Sequence, residues 1–518
     1  MTVVVIGGGH NGLAAAFYLA RAGLKPIVIE ERTTVGGGAV TGELHPGFKS
    51  PTLTHHAAIG SDIAAEMDLA RHGLDVLRPL VDVFIPAPDG PAAAMYVDAT
   101  RTADALRTTA PRDADAFLRY RAAMSAVGGV VEALLTVPPP DVDRPDPRDL
   151  WNLLGAGRRF RALGKQDAYR LLRWAPMPVA DFVAEWFESP LLRAAVCGSG
   201  VSGTMLGPRS AGSTLVHLLR DAHRRMSGGR MQVRGGPGAL TQAMAAAARG
   251  AGADIRVGSR VDRIAVANGA VTAVTVDGRD IVADAVVSAA DPKATCLGLL
   301  DPLDLSPDFL SKMGNVRSAG TVAKVNLALS ALPSFGAANA ELLSGSIHIG
   351  PDVDTIERAF DHAKYGELSE EPWLDVTIPS VLDPSLVPPG AHVMSVYVHY
   401  APYRLRGASW DSLKETVLTR TMAMLERYAP GVGALVIAAE VITPAELESA
   451  YGFAGGHIFH GELSMDQLFT MRPLLGFGGY NTPVRGLYLC GGGTHPGGFM
   501  SGTSGKLAVA TLLASMKR

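Results

Sequence analysis

The 518-residue chain is poor in several features that would commit a protein to a class. It has three cysteines, Cys197, Cys296 and Cys490, far apart in sequence. Their spacing fits no zinc site, redox dithiol or disulfide framework, and it points to a reducing compartment. The formal net charge is −3 with the basic residues scattered, so the footprint of a nucleic-acid-binding surface is missing and a small molecule is the expected partner. Apolar stretches such as 507–516 are short and interrupted, well under the roughly 20 residues that span a bilayer. The fourteen histidines contain no His-Glu-x-x-His or comparable cluster, so no metal is expected. An apolar strand begins two residues into the chain, which leaves no room for a leader peptide. A cytoplasmic protein is expected, and its apolar composition is compatible with peripheral membrane contact.

What the sequence does contain is concentrated in its first forty residues. Val3-Val4-Val5-Ile6 reads as a buried strand that runs into Gly7-Gly8-Gly9-His10-Asn11-Gly12, a Gly-x-Gly-x-x-Gly turn opening an alanine-rich helix. Gly7 permits the tight turn, Gly9 lets backbone approach a pyrophosphate, and Gly12 lets helix pack on strand, so a diphosphate sits at the positive helix N-terminus. A second strand ends at Glu30, a carboxylate placed for a ribose 2′-hydroxyl and repelling a 2′-phosphate. That favours FAD or NAD over NADP. Arg32-x-x-x-Gly36-Gly37 follows, the extension seen in FAD-binding enzymes of the glutathione-reductase-like fold, and it selects FAD. A second match to the glycine spacing, Gly198 to Gly203, is preceded by an apparent helix and followed by Gly207-Pro208. It is expected to be a glycine-rich loop between helices.

The length accommodates two or three domains. The expected fold is α/β, a glutathione-reductase-like Rossmann FAD-binding domain with an inserted mixed-sheet substrate domain and a helical cap. Segments 1–60, 228–300 and 480–518 are assigned to the FAD domain, 61–227 to the cap and 301–479 to the substrate domain. The cap reads as mostly helical, broken by a proline-rich connector at 137–147. Residues 261–282 alternate as a small antiparallel meander. Leu487-Tyr488-Leu489-Cys490 is a short strand, Gly491 to Gly498 a glycine-rich turn, and Met500 the expected start of a last helix. The N-terminus of that helix can direct its amides and dipole at the flavin pyrimidine.

Taken together these pieces resemble the phytoene-desaturase-like flavoproteins nearly end to end. The likeness is strongest to the branch called pyridine nucleotide-disulfide oxidoreductase domain-containing protein 2. It rests on Val-Ile-Gly-Gly-Gly-His-Asn-Gly-Leu at 5–13, Pro46-Gly47-Phe48-Lys49, Ile458-Phe459-His460-Gly461, Ser464-Met465-Asp466-Gln467-Leu468, Arg472-Pro473, Thr494-His495-Pro496-Gly497-Gly498 and Gly486 to Gly491. The paired cysteines of disulfide reductases are absent. The resemblance implies an FAD-dependent dehydrogenase or desaturase that moves hydride from an apolar or amphipathic small molecule to flavin N5, with oxygen, a quinone or an electron-transfer partner as acceptor. A double-bond isomerase, an amine-oxidase-type oxidase and a flavoprotein that binds partners with little turnover are the alternatives.

The expected cofactor-binding residues are Gly7, Gly9, His10, Asn11, Gly12, Glu30, Glu31, Arg32, Gly36, Gly37, Gly38, Ala39, Val261, Gly491, Gly492, Phe499 and Met500. Phe499 replaces a glycine usual in relatives and is expected to narrow the substrate channel. His55, His56, His460 and His495 are the candidates for an acid–base role by their pKa, with a structural hydrogen-bonding role as the alternative for each, and Arg472 is expected to anchor a neighbouring loop, with a carboxylate as the alternative.

Overall fold

The computed structural model describes residues 1–141 and 147–517. Residues 142–146, inside the proline-rich connector, and Arg518 lie outside the described part.

The apolar strand Thr2–Ile6 is the centre of a five-stranded, wholly parallel sheet. Lys25–Glu30 and Asp254–Val257 extend it on one side, and Ala285–Ser288 and Leu487–Leu489 on the other. Strands buried on both faces carry continuous Val/Ile runs, and Val3, Val4 and Val5 are fully buried. The chain builds outward one way and then returns to build the other way. The crevice at the carboxyl ends of Thr2–Ile6 and Ala285–Ser288 is therefore a topological switch point, where ligands of open α/β sheets bind. The meander appears where the alternation placed it, as Val261–Ala267, Ala270–Val276 and Arg279–Val282.

A second sheet has seven strands in the order Val436–Ile442, Val322–Leu329, His392–His399, Leu374–Thr377, Ser346–Ile349, Val81–Ile85 and Ala93–Tyr96. It is mixed, since Ser346–Ile349 runs parallel to Val81–Ile85 while its other pairs are antiparallel. The last two strands come from the stretch read as mostly helical. Val81–Ile85 is buried along its whole length, and pairing in a sheet satisfies its backbone polar groups as a loop inside the core would not. The rest of that stretch is helical, including Pro111–Leu135, Pro190–Val201 and Ser213–Met226, which share one apolar core.

Two local expectations are corrected. Gly198 and Gly200 lie inside the helix Pro190–Val201, not in a loop. A Cβ on Gly198 would meet the Trp373 ring at 2.4 Å and one on Gly200 would meet the Ser213 carbonyl oxygen at 2.9 Å, so these glycines serve close packing. The last helix begins at Thr503, not Met500, with Gly502 at φ 76° as its N-cap.

Candidate active site

The dinucleotide turn is built from backbone. Gly7 has φ 93°, open to glycine at no steric cost. A Cβ on Gly12 would lie 2.0 Å from the Gly7 carbonyl oxygen, and one on Gly37 would lie 3.0 Å from the Gly9 Cα. The Glu30 carboxylate accepts from the Gly8 amide at 2.7 Å and the Arg32 amide at 3.0 Å. Arg32 donates to the Gly37 carbonyl at 2.7 Å and the Gly36 amide to the Gly8 carbonyl at 2.9 Å, so the acidic strand end, the Arg32 loop and the glycine turn form one unit. Ala39 joins it by accepting from Thr241 at 3.1 Å, and Gly38 adjoins Phe453. The Gly258 and Ser259 amides donate to the Arg32 and Glu30 carbonyls, which sets Val261 just beyond. Glu31 points outward and pairs with exposed Arg260 at 3.8 Å.

The last glycine loop closes the crevice. Cβ atoms on Gly491 and Gly493 would strike the Ala290 carbonyl oxygen at 2.6 Å and the Pro292 ring at 2.4 Å, and Gly492 lies against His460. Around these turns, His10 Nε2, Asn11 Oδ1, Asp291 Oδ2, His460 Nδ1 and Thr503 Oγ1 are buried without a hydrogen-bond partner in the protein. Buried polar atoms are ordinarily satisfied, and a set of orphans at the sheet's switch point is what a dinucleotide with many donors and acceptors would complete. The residues fit FAD.

Beside that loop a cavity of about 290 Å³ opens between the helical layer and the seven-stranded sheet. Gly498, Phe499 and Met500 form part of its wall. Met95, Phe117, Val196, Ile458 and Phe459 make another part apolar, and seven charged residues line a further part. Phe499 stands 5.3 Å from the Phe459 ring and 4.2 Å from the His223 ring, so it does shape the cavity.

The four candidate histidines separate. His56 lines the cavity. It and its neighbour His55 both approach Asp375 Oδ2, at 3.8 and 3.7 Å, and His348 approaches Oδ1 at 3.8 Å. Lys324 Nζ lies 3.4 Å from His55 Nδ1 and donates to Ser395, and Arg230 lies 3.5 Å from His56 Nε2. Burial pushes His55, His56 and His348 below the ordinary histidine value. Burial would raise Asp375, but the contacts from His55 and His56 prevail and hold it well below the carboxylate range. Burial brings Lys324 down to about 7. The His55, His56 and Asp375 ligand atoms all lie within 4.8 Å of one another, a grouping the sequence spacing did not reveal; Lys324 and Arg230 supply positive charge beside it.

His460 lies in the cofactor crevice instead, lowered to about 3 by burial, with His10 nearby adding repulsion. His495 is turned away. Its Nε2 contacts the Leu134 carbonyl at 3.2 Å and its own carbonyl accepts from Tyr480 and Ser504, which ties the loop to the helical layer. Arg472 is 1% exposed and donates to the carbonyls of Phe459, Gly461, Glu462, Gln467 and Gly492, the loop anchor expected from its sequence.

Comparison with known proteins agrees with this geometry. The model of the family described as flavin containing amine oxidoreductase matches residues 12–513. The chain belongs to this family. It is 34% identical to pyridine nucleotide-disulfide oxidoreductase domain-containing protein 2 of Rattus norvegicus, over 99% of this chain and 93% of that protein. It is 27% identical to the phytoene desaturase (lycopene-forming) of Pseudescherichia vulneris, over 99% and 98%. A redesigned putrescine oxidase shares the fold at TM-score 0.60 and 15% identity, over 100% and 99% of the two chains. The protein is an FAD-dependent oxidoreductase of this family, with an α/β fold that includes a mixed sheet. Among the described residues no helix is long and apolar enough to cross a membrane.

The charged part of the cavity escaped the sequence reading. Asp82, Arg121, Arg220, Asp221, Arg224, Arg230 and Asp375 all line it, from five separate elements or loops. One signal was present. His217, Arg220, Asp221 and Arg224 recur at helical spacing in Ser213–Met226, a helix whose residues are almost all buried. A charged stripe on a buried helix marks a site or an internal ion-pair network.

Proposed function

We infer that this protein is a dehydrogenase of an amphipathic small molecule, which loses a hydride from one carbon and a proton from its neighbour. The Rossmann unit is read as glutathione-reductase-like, made of 1–60, 228–300 and 480–518, with 61–227 as cap and 301–479 as substrate domain. The paired strands Val81–Ile85 and Ala93–Tyr96 link the cap segment to the substrate sheet. Gly7, Gly9, Gly12, Glu30, Arg32, Gly36, Gly37, Gly491 and Gly492 are the residues that would hold FAD, whose bound flavin supplies the hydride acceptor.

The observation that carries this reading is the cavity's composition. The glycine-rich loop forms one wall and the histidine–aspartate cluster another. A substrate between them presents one carbon toward the loop and the adjacent C–H toward His56. The His56 imidazole takes that proton, with Asp375 stabilising the imidazolium and His55 and Lys324 continuing the network inward. Phe459 and Phe499 exclude water. A substrate ammonium is disfavoured there because the Arg220 guanidinium already lies over both rings, at 5.5 and 5.6 Å.

The test follows the flavin absorbance of the purified protein anaerobically as polyenes, unsaturated fatty acids, alcohols and amines are added. Bleaching by an amphipathic class is the expected outcome. A flavin band that no class bleaches would overturn the dehydrogenase reading and favour a redox-neutral isomerase.

A further inference from the structure

The cavity's positive charges are not all matched, and the mismatch is localised. Arg224 pairs with Asp82 and, at 3.0 Å, with Asp221. Arg230 pairs with Asp82 at 3.1 Å, and Arg121 approaches Asp221 at 3.7 Å. Asp375, the third carboxylate in the wall, is engaged by His55, His56 and His348. Among the described residues Arg220 alone of the four cavity arginines makes no ion pair. Its Nη2 donates to the Ser202 carbonyl at 2.6 Å, while its buried Nε has no hydrogen-bond partner. The flat faces of Phe459 and Phe499 cover it at 5.5 and 5.6 Å.

A cation removed from water without a counter-ion is costly, and a guanidinium with free donors in its fork matches a planar anion. Ser202 caps the helix Pro190–Val201 at its C-terminus. The hydrogen bond to its carbonyl therefore fixes one end of the guanidinium at the negative pole of that helix and leaves Nε unused. The rings hold the plane while presenting no acceptor. The geometry points to Arg220 as the anchor for a carboxylate on the substrate, so that the molecule oxidised is an acid with an apolar chain. This deepens the dehydrogenase reading above and rests on it. The apolar wall of Met95, Phe117, Val196 and Ile458 receives the chain, and the carboxylate sets which carbons face the glycine-rich loop.

The experiment uses the flavin-loaded full chain and reads the shift of the flavin band on titration with decanoate, decanol and decylamine. Decanoate is expected to bind roughly tenfold or more tighter than decanol, the effect of one charge-assisted hydrogen bond. In Arg220→Gln that preference should vanish, while decanol affinity and flavin content stay unchanged. Arg220→Lys, which keeps the charge without the planar fork, should retain part of it. Equal affinity for decanoate and decanol in the wild-type protein overturns the proposal whatever the variants do, as does tighter binding of decylamine. An unchanged preference in Arg220→Gln also overturns it. These failures leave flavin reduction by substrate intact, whereas failure of the dehydrogenase reading itself would show as a wild-type flavin band that no class of compound bleaches.

Discussion

The cofactor crevice and the substrate cavity meet at the Gly491–Met500 loop, yet they are made of different material. The crevice is backbone. Its specificity lies in places where a single methyl cannot fit, such as Gly12 against the Gly7 carbonyl oxygen at 2.0 Å, and in amides whose directions the strand-turn-helix unit fixes. The cavity is side chain. Its character comes from seven charged residues brought together from five separate parts of the chain. A backbone site tolerates almost no change at its glycines and many changes around them. A side-chain site can be rewritten one residue at a time, which is how one flavin scaffold serves relatives named for quite different substrates.

The largest effect should come from the crevice. Gly12→Ala places a methyl 2.0 Å from the Gly7 oxygen, so the turn must open or the helix must shift. We expect a loss of stability of about 3 kcal/mol together with most of the bound flavin, measured by absorbance per protein and by thermal melting. Gly129, in the helix Pro111–Leu135, has nothing within 4 Å of an added Cβ. Gly129→Ala should keep full flavin and gain up to ~1 kcal/mol from helix propensity. Equal behaviour of the two variants would break the contrast between a steric cradle and ordinary glycine.

The next effect belongs to the cavity. Asp375→Asn removes the charge that both His55 and His56 approach without changing the size of the side chain. Flavin content should hold, while the rate of flavin reduction by the best substrate falls by roughly 10²–10⁴, the range for a general acid–base group. The pH dependence of that rate should change as well, since the neighbouring imidazoles lose the carboxylate that stabilises their protonated form. A purely structural Asp375 would give a lower melting temperature with an unaltered pH profile.

This contrast also accounts for what the sequence made legible. The glycine turn, Glu30 and the Arg32-to-Gly37 loop are contiguous, and each has a local conformational reason, so a linear reading recovers them. The strands Thr2–Ile6 and Leu487–Leu489 were legible for the same reason, as apolar runs bounded by turn residues. The hairpin Val81–Ile85 and Ala93–Tyr96 was not, because its edge position depends on pairing with Ser346–Ile349, some 260 residues away. The His55–His56–Asp375–Lys324 cluster is similar. Its His55 lies 269 residues before Lys324 and further still before Asp375, and only the seven-stranded sheet brings Asp375 and Lys324 beneath the 51–58 loop. His460 and His495 shared the motif strings that drew attention to them, but motif membership reflected the crevice and the loop tie, not the cavity.

One effect, read as a change of stability with pH, isolates a single buried charge. Lys324 is 1% exposed, held among His55, Ser395 and the Tyr397 ring at 4.8 Å, with Asp375 and Glu440 giving partial compensation. Burial holds it near 7 in the fold, and unfolding returns it to 10.5. Between those pH values the unfolded chain carries one more proton than the folded one, so stability rises with pH across that window. Below the folded value the cost of the buried ammonium is fully present. Lys324→Met removes this titration, and its melting temperature should lack the rise that the wild-type protein shows between pH 7 and 10. Parallel curves would mean that the ammonium is charged in the fold throughout, and that the proton network beneath His56 ends at His55.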